Sequence, residues 1–333
     1  MRKPRMKGIS PILPAIATVC LLLTAVLPDL SAAAEYPDKP IRFVVPFPPG
    51  GANDIFARII AEKLSANFGQ QVVIDNRPGG GGSIGAEIAA KARPDGYTML
   101  LANTGPNAID VALRPRGSYD PVRDFAAVTQ IASVPLVLAV HAGLSARTLG
   151  ELIAIVKASP TQFNYASAGN GSIAHLAAEM FKARAGVKLS HVPYKGTPPA
   201  LTDLIAGQVS MLFTSTVASL PFIKSGRVRA LAIADSARSP LMPDVPTMAQ
   251  GGLAGFEVSA WYGIVVPANT SSAVILRLYR ETAKALQDPD VKQRFAILGG
   301  TGVGSDPKAF GTFLRREVER WGEAVRISDA RVD

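Results

Sequence analysis

The chain has 333 residues, with 35 Lys and Arg against 26 Asp and Glu, and a single cysteine. Beyond residue 34 the basic residues are scattered, the longest run being Arg315-Arg316, with no aromatic–basic interleaving, so a nucleic-acid partner is not expected. One cysteine excludes a disulfide framework, and three histidines with no close Cys/His/Asp/Glu cluster at ligand spacing make a catalytic zinc unexpected.

The N-terminus reads as a secretory leader. Arg2, Lys3, Arg5 and Lys7 form a basic region, Ile9 to Leu27 is almost wholly apolar, and Ala32-Ala33-Ala34 supplies small residues for cleavage near Ala34. Two other readings are a retained anchor, which Pro11, Pro14 and the Ala-rich exit oppose, and a lipoprotein acylated at Cys20, which Val19 opposes. Cleavage after Ala34 removes four basic residues, one acidic residue and Cys20, leaving a thiol-free chain of charge +6 destined for the periplasm. No later apolar run reaches spanning length, so that chain is expected to be soluble.

Short β-rich runs then alternate with amphipathic helical ones. Strands are predicted over residues 41–47, 71–74 and 97–101, with helices over 53–68 and 83–92 between them. This βαβαβ order implies a parallel sheet with helices on both faces. Residues 107–124 read as loop, and 126–140 as a long β segment. Alternation resumes with helices over 148–158, 172–185 and 199–206 and strands over 163–166, 189–193, 209–213 and 228–234. A strand-like run over 256–266 precedes an all-helical tail, 271–326, with Phe310, Leu314, Val318 and Trp321 as its packing face. Two α/β units therefore lie in series, and the long segments at 126–140 and 256–266 supply the two crossings of a hinged clamp.

Two stretches carry recognition chemistry. Pro48-Pro49-Gly50-Gly51 followed by Asn53 and Asp54 joins a strand to a helix, where prolines stiffen the turn and free helix N–H groups favour an anion. Asn53 or Asp54 can instead cap that helix, or Asp54 can orient the loop. Ser167-Ala168-Gly169-Asn170-Gly171-Ser172 repeats the arrangement in the second unit, and ligands of open α/β sheets bind at such strand ends. His175, one turn on, reads as a structural residue within reach of Glu179.

A third stretch, residues 76–85, matches a dinucleotide fingerprint at Gly80, Gly82 and Gly85, and a nucleophile elbow at Ser83. Five glycines in seven positions produce such matches by composition, no acid follows for a ribose, and Ser83 reads as a helix cap. With no convincing base, nucleophile or metal, an enzyme is not expected, a Ser83 hydrolase being the minor alternative.

At these residues the sequence resembles the Bug-type solute-binding receptors of tripartite tricarboxylate transporters. The matching blocks are residues 45–54, 75–79, 94–98, 167–172 with His175-Leu176, 192–196, and Trp261-Tyr262-Gly263 before Val266-Pro267-Ala268. The resemblance implies a type II periplasmic-binding-protein fold: two α/β lobes joined by a two-crossing hinge, with no cofactor. Its lobes would run over residues 35–135, 136–254 and, on the return with the C-terminal helices, 255–333. It also implies a monomer that holds a small carboxylate, with ordered water, between the loops at 48–54 and 167–172 and delivers it to membrane transporter subunits. A sensory receptor would share both fold and ligand. Two departures stand out: Ser210 follows Gly207-Gln208-Val209 where an aspartate is usual, and the pocket-side segment Asn103-Thr104 is atypical.

Overall fold

The computed structural model describes residues 36–115, 117–328, 330 and 331, together with 1, 3 and 4. Cys20 and the predicted cleavage point lie outside them. The chain divides at Asp38, and Lys39–Asp333 forms the unit described here.

Its first lobe is built on β1 (Ile41–Val45), which lies parallel between β2 (Val72–Asn76) and β3 (Thr98–Asn103). Helix α1 (Ala52–Phe68) buries Phe56, Ile59, Ile60 and Leu64, the spacing of a single helix face, and stops at Gly69 in the left-handed conformation. A turn of 3-10 helix at Gly80–Gly82 leads into α2 (Ser83–Ala90).

The predicted loop after β3 begins as helix. A π turn, Gly105–Ile109, runs into α3 (Asp110–Leu113). Asparagine side chains organise this start: Asn107 Oδ1 accepts the Asn103 N–H at 3.0 Å, and Asn103 Oδ1 accepts the Gly105 N–H at 3.3 Å. Gly, Pro and Asn read as loop formers, and here the last of these does a capping job.

Strand β4 (Phe125–His141) has 17 residues because it serves two sheets. Its first part, to Pro135, pairs antiparallel with β9 (Ser259–Pro267). From Leu136 onward it pairs with β7 (Met211–Ser215) and β8 (Val228–Ile233). The second lobe adds β5 (Asn164–Ser167) and β6 (Ser190–Pro193), which run parallel to each other beside β7. Its helices are α4 (Leu149–Ala158), α5 (Ile173–Ala185), α6 (Thr197–Ile205) and α7 (Thr216–Lys224). Where the chain crosses back, Leu136, Ala234 and Val258 close a ring of backbone bonds: Leu136 N to Val258 O, 3.0 Å; Val258 N to Ala234 O, 2.9 Å; Ala234 N to Leu136 O, 2.8 Å. The two crossings are thus bonded side by side, which makes a narrow hinge.

The tail contains α8 (Ser272–Gln287), α9 (Pro289–Ile297) and α10 (Pro307–Ser328), but it is not all helical. Thr301–Gly302 forms β10, an added edge against β4. The buried face of α10 uses Glu317 in place of Val318. That carboxylate accepts from both tryptophan indoles, Trp261 at 2.8 Å and Trp321 at 2.7 Å, which satisfies a charge that burial would otherwise penalise. Among the described residues no helix is long and apolar enough to cross a membrane.

Candidate ligand-binding site

The loop between β1 and α1 is held by a carboxylate. Asp54 is buried and accepts from the Gly50 N–H at 3.1 Å, Arg58 Nε at 2.9 Å and Asn76 Nδ2 at 3.0 Å. Asn76 also donates to Phe47 O at 3.0 Å, so β2 helps to set the loop's shape. Burial acts to raise the Asp54 pKa, but the bonds from Arg58, Gly50 and Asn76 outweigh it and hold the carboxyl below its ordinary value. With both oxygens committed, Asp54 orients the loop rather than capping α1, whose start at Gly51 has no side-chain cap.

The corresponding loop between β5 and α5 is held by imidazoles. The Gly169 N–H donates to Ser167 Oγ at 3.1 Å, and that hydroxyl lies 2.6 Å from His191 Nε2. At the other end the Gly171 N–H donates to His175 Nδ1 at 3.3 Å, and Ser172 Oγ caps α5 by accepting the His175 N–H. His191 stacks between Tyr165 and His175, with ring centroids 4.7 and 4.4 Å away. Burial lowers both histidine pKa values; His191 is pushed down to about 3, with the neighbouring His175 and Lys182 adding to the effect. Both rings are therefore neutral, as an acceptor Nδ1 on His175 requires. Glu179 bonds to the Tyr165 hydroxyl and to Lys182, not to His175.

Between the loops lies a small cavity of about 40 Å³. From the first lobe Phe47, Ala52, Asn53, Asn103, Thr104, Ala260 and Tyr262 line it, and Leu136 does so at the crossing. The second lobe contributes Ala168, Ser172, Ile173, Ala174, Thr197, Phe213, Thr214 and Ser215. Four helices start at this wall: α1 at Gly51, α5 at Ser172, α6 at Gly196 and α7 at Ser215, and only α5 has a side-chain cap. Each such end carries roughly half a positive charge; α1, α5 and α7 also present undonated N–H groups, whereas Pro198 and Pro199 leave α6 only that of Thr197. None of the described residues lining the cavity is charged. Three lining side chains also carry a buried polar atom without a partner: Asn53 Oδ1, Asn103 Nδ2 and Thr214 Oγ1. Buried polar groups are normally satisfied, so these atoms, from both lobes, have bonding capacity that the protein itself does not use.

Of the sequence candidates, Asn53, Asn103, Thr104, Ala168 and Ser172 face the cavity. Pro48, Pro49, Gly50, Gly51, Asp54, Ser167, Gly169, Asn170 and Gly171 lie in the same two loops but outside the lining set. Thr197, Thr214 and Ser215 line it without having been singled out from the sequence, and Tyr262, expected near the hinge or cleft, lines it too. The signal for Thr197 and Ser215 was a small polar residue at a helix start after a strand. Ser83, expected to cap α2, is its first residue and donates its hydroxyl to Gly80 O at 2.9 Å. Ser210 lies outside the lining and exchanges bonds with Asn164, its N–H donating at 2.7 Å. Among the described residues no group of three or more His, Cys, Asp or Glu is arranged to hold a metal.

Residues 56–329 match the tripartite tricarboxylate transporter family receptor. BugT of Bordetella pertussis (strain Tohama I) is 40% identical over 302 residues, which cover 90% of this chain and 93% of that protein. Among solved structures, R. palustris Rpa4515 with adipate is 33% identical with a TM-score of 0.87, covering 90% of this chain and all of that one. MatC (Rpa3494) from Rhodopseudomonas palustris with bound malate is likewise 33% identical, with a TM-score of 0.84 over 87% of this chain and all of that one. The chain belongs to the Bug-type receptors of the tripartite tricarboxylate transporter family, a family of periplasmic solute-binding proteins.

Proposed function

We propose that this protein captures a small carboxylate in the cavity between its lobes, works in the periplasm as a monomer, and hands its ligand to a tripartite-type membrane transporter. The observation that carries this reading is the convergence of four helix starts, from both lobes, on one wall without a cationic side chain. Such a wall favours an anion through N–H groups and dipoles rather than through an ion pair. A flat, two-oxygen anion suits several N–H donors at once, and each charge-assisted bond contributes about 1.5–3 kcal/mol net, enough together for roughly micromolar affinity. The orphaned Asn53, Asn103 and Thr214 atoms are the partners offered to the rest of the molecule. The adipate and malate held by the two R. palustris relatives support the same ligand class.

A thermal-shift screen against small carboxylates and their amides tests the proposal. An acid at 100 times its dissociation constant adds about 2.7 kcal/mol of stability, or several degrees, and its amide adds none. Equal shifts from acid and amide would remove the anion from the account.

A further inference from the structure

We propose that Gly81 is a positioning residue for capture: it lets a turn of the first lobe seat directly on the backbone of the second lobe's binding loop, and any side chain there holds the cleft open. The proposal rests on the cavity being the ligand site. Gly81 has φ +67°, and a Cβ on it would lie 2.1 Å from Asn170 O and 3.0 Å from Ser172 N. Both atoms are backbone, so no change of rotamer removes the overlap; the lobes must separate or the loop must move. The loop is not free to move, because His175 and the Ser167–His191 pair hold both its ends. Ser172 lines the cavity and caps α5, so a displaced loop also displaces a helix start from the ligand.

The seam continues past Gly81. A Cβ on Gly105 would meet Gly81 O at 3.2 Å and Gly171 O at 3.3 Å, and one on Gly171 would meet Asp110 Oδ1 at 3.1 Å. The glycine run that mimics a dinucleotide fingerprint thus has a physical use of its own, close backbone approach across a closing cleft.

Gly80 supplies the matched control. Its φ of +58° imposes the same left-handed strain on a side chain, but the atoms nearest a Cβ there belong to Ser83 and Ile84 of its own lobe, the first being the Ser83 hydroxyl. A hydroxyl can rotate away, whereas Asn170 O cannot. Apparent affinity falls with the fraction of molecules able to close, so Gly81→Ala lowers it by about tenfold or more while Gly80→Ala stays within about twofold of wild type.

The experiment titrates malate and adipate into wild-type protein, Gly80→Ala and Gly81→Ala, and records unliganded melting temperatures alongside. Matched melting temperatures with affinity lost in Gly81→Ala alone support the seam, and equal affinities in the two variants overturn it. If wild type binds neither acid, the carboxylate reading fails for these ligands, and the seam is decided without ligand. Spin labels at the exposed positions Arg93 and Lys188, one in each lobe, then report the interlobe distance. A longer distribution in Gly81→Ala than in Gly80→Ala supports the proposal, and identical distributions overturn it.

Discussion

The two loops that flank the cavity occupy equivalent places, after a strand and before a helix, yet they are anchored by different chemistry. In the first lobe one ionised carboxylate, Asp54, gathers Gly50, Arg58 and Asn76. In the second, two neutral imidazoles hold Gly171 and Ser167. The first arrangement survives mild acid, because it needs only that Asp54 stay ionised. The second depends on histidines remaining uncharged in a buried stack, so it is the acid-sensitive half of the clamp. Equivalent geometry does not imply equivalent response to conditions.

Removing the first anchor has the largest expected effect. Asp54→Ala leaves Arg58, Asn76 and the Gly50 N–H without their shared partner and lowers folding stability by about 3 kcal/mol in urea denaturation. A loss under about 1 kcal/mol would mean that the loop holds its shape without the carboxylate. Next comes the second anchor: His175→Leu keeps the apolar bulk but orphans the Gly171 N–H, and costs about 2 kcal/mol at pH 7.5.

Acidity sharpens the comparison further. The histidine pKa values are lowered on folding, so their contribution is present above about pH 6.5 and is lost as pH falls toward the folded value, about 3 for His191. Asp54 is also lowered, from 3.8, and its contribution is lost only below that value. Asp110, beside the seam and paired with Arg114, has its pKa pushed up by burial to about 6 against the pull of Arg114, so it opposes the histidines. Its penalty is present above pH 6 and fades as pH falls toward 3.8. Stability measured from pH 7.5 to 5 should therefore fall more steeply in Asp110→Asn than in wild type, and flatten when His175 and His191 are both replaced by apolar residues. A wild-type slope unchanged by those replacements would locate the acid sensitivity elsewhere.

The smallest effect on folding pairs with a clear effect on binding. Thr214→Val removes a buried hydroxyl that has no protein partner, so stability without ligand should stay within about 1 kcal/mol of wild type, or rise, while carboxylate affinity drops about tenfold. Calorimetric titration alongside thermal melts separates the two readouts. Unchanged affinity would show that this side of the cavity is not used.

Much of this architecture was legible in the sequence because local pattern and tertiary role agree. The alternation of strands and helices, the long crossing segment and the two Gly-rich helix starts are all visible as periodicity and turn chemistry. Helix α7 was not, because Met211 to Val217 is rich in β-branched and apolar residues and runs straight from strand into helix, with Pro221 inside that helix. The starts of α6 and α7 reach the cavity only through the curl of the second sheet, which no local pattern encodes. Asp54 and the histidines were visible as residue types, but the sharing of work between them depends on Asn76 and Ser167 arriving from other strands.

The central claim is that helix starts from both lobes hold the anion. An amide-resolved ¹H–¹⁵N titration with malate or adipate tests it directly. The account predicts the largest shifts at the first-turn N–H groups of α1, α5 and α7, beginning with Ala52, Ile173 and Thr216, and at the Thr197 N–H that opens α6 ahead of Pro198 and Pro199. Saturable binding with shifts clustered away from all four helix starts would contradict it.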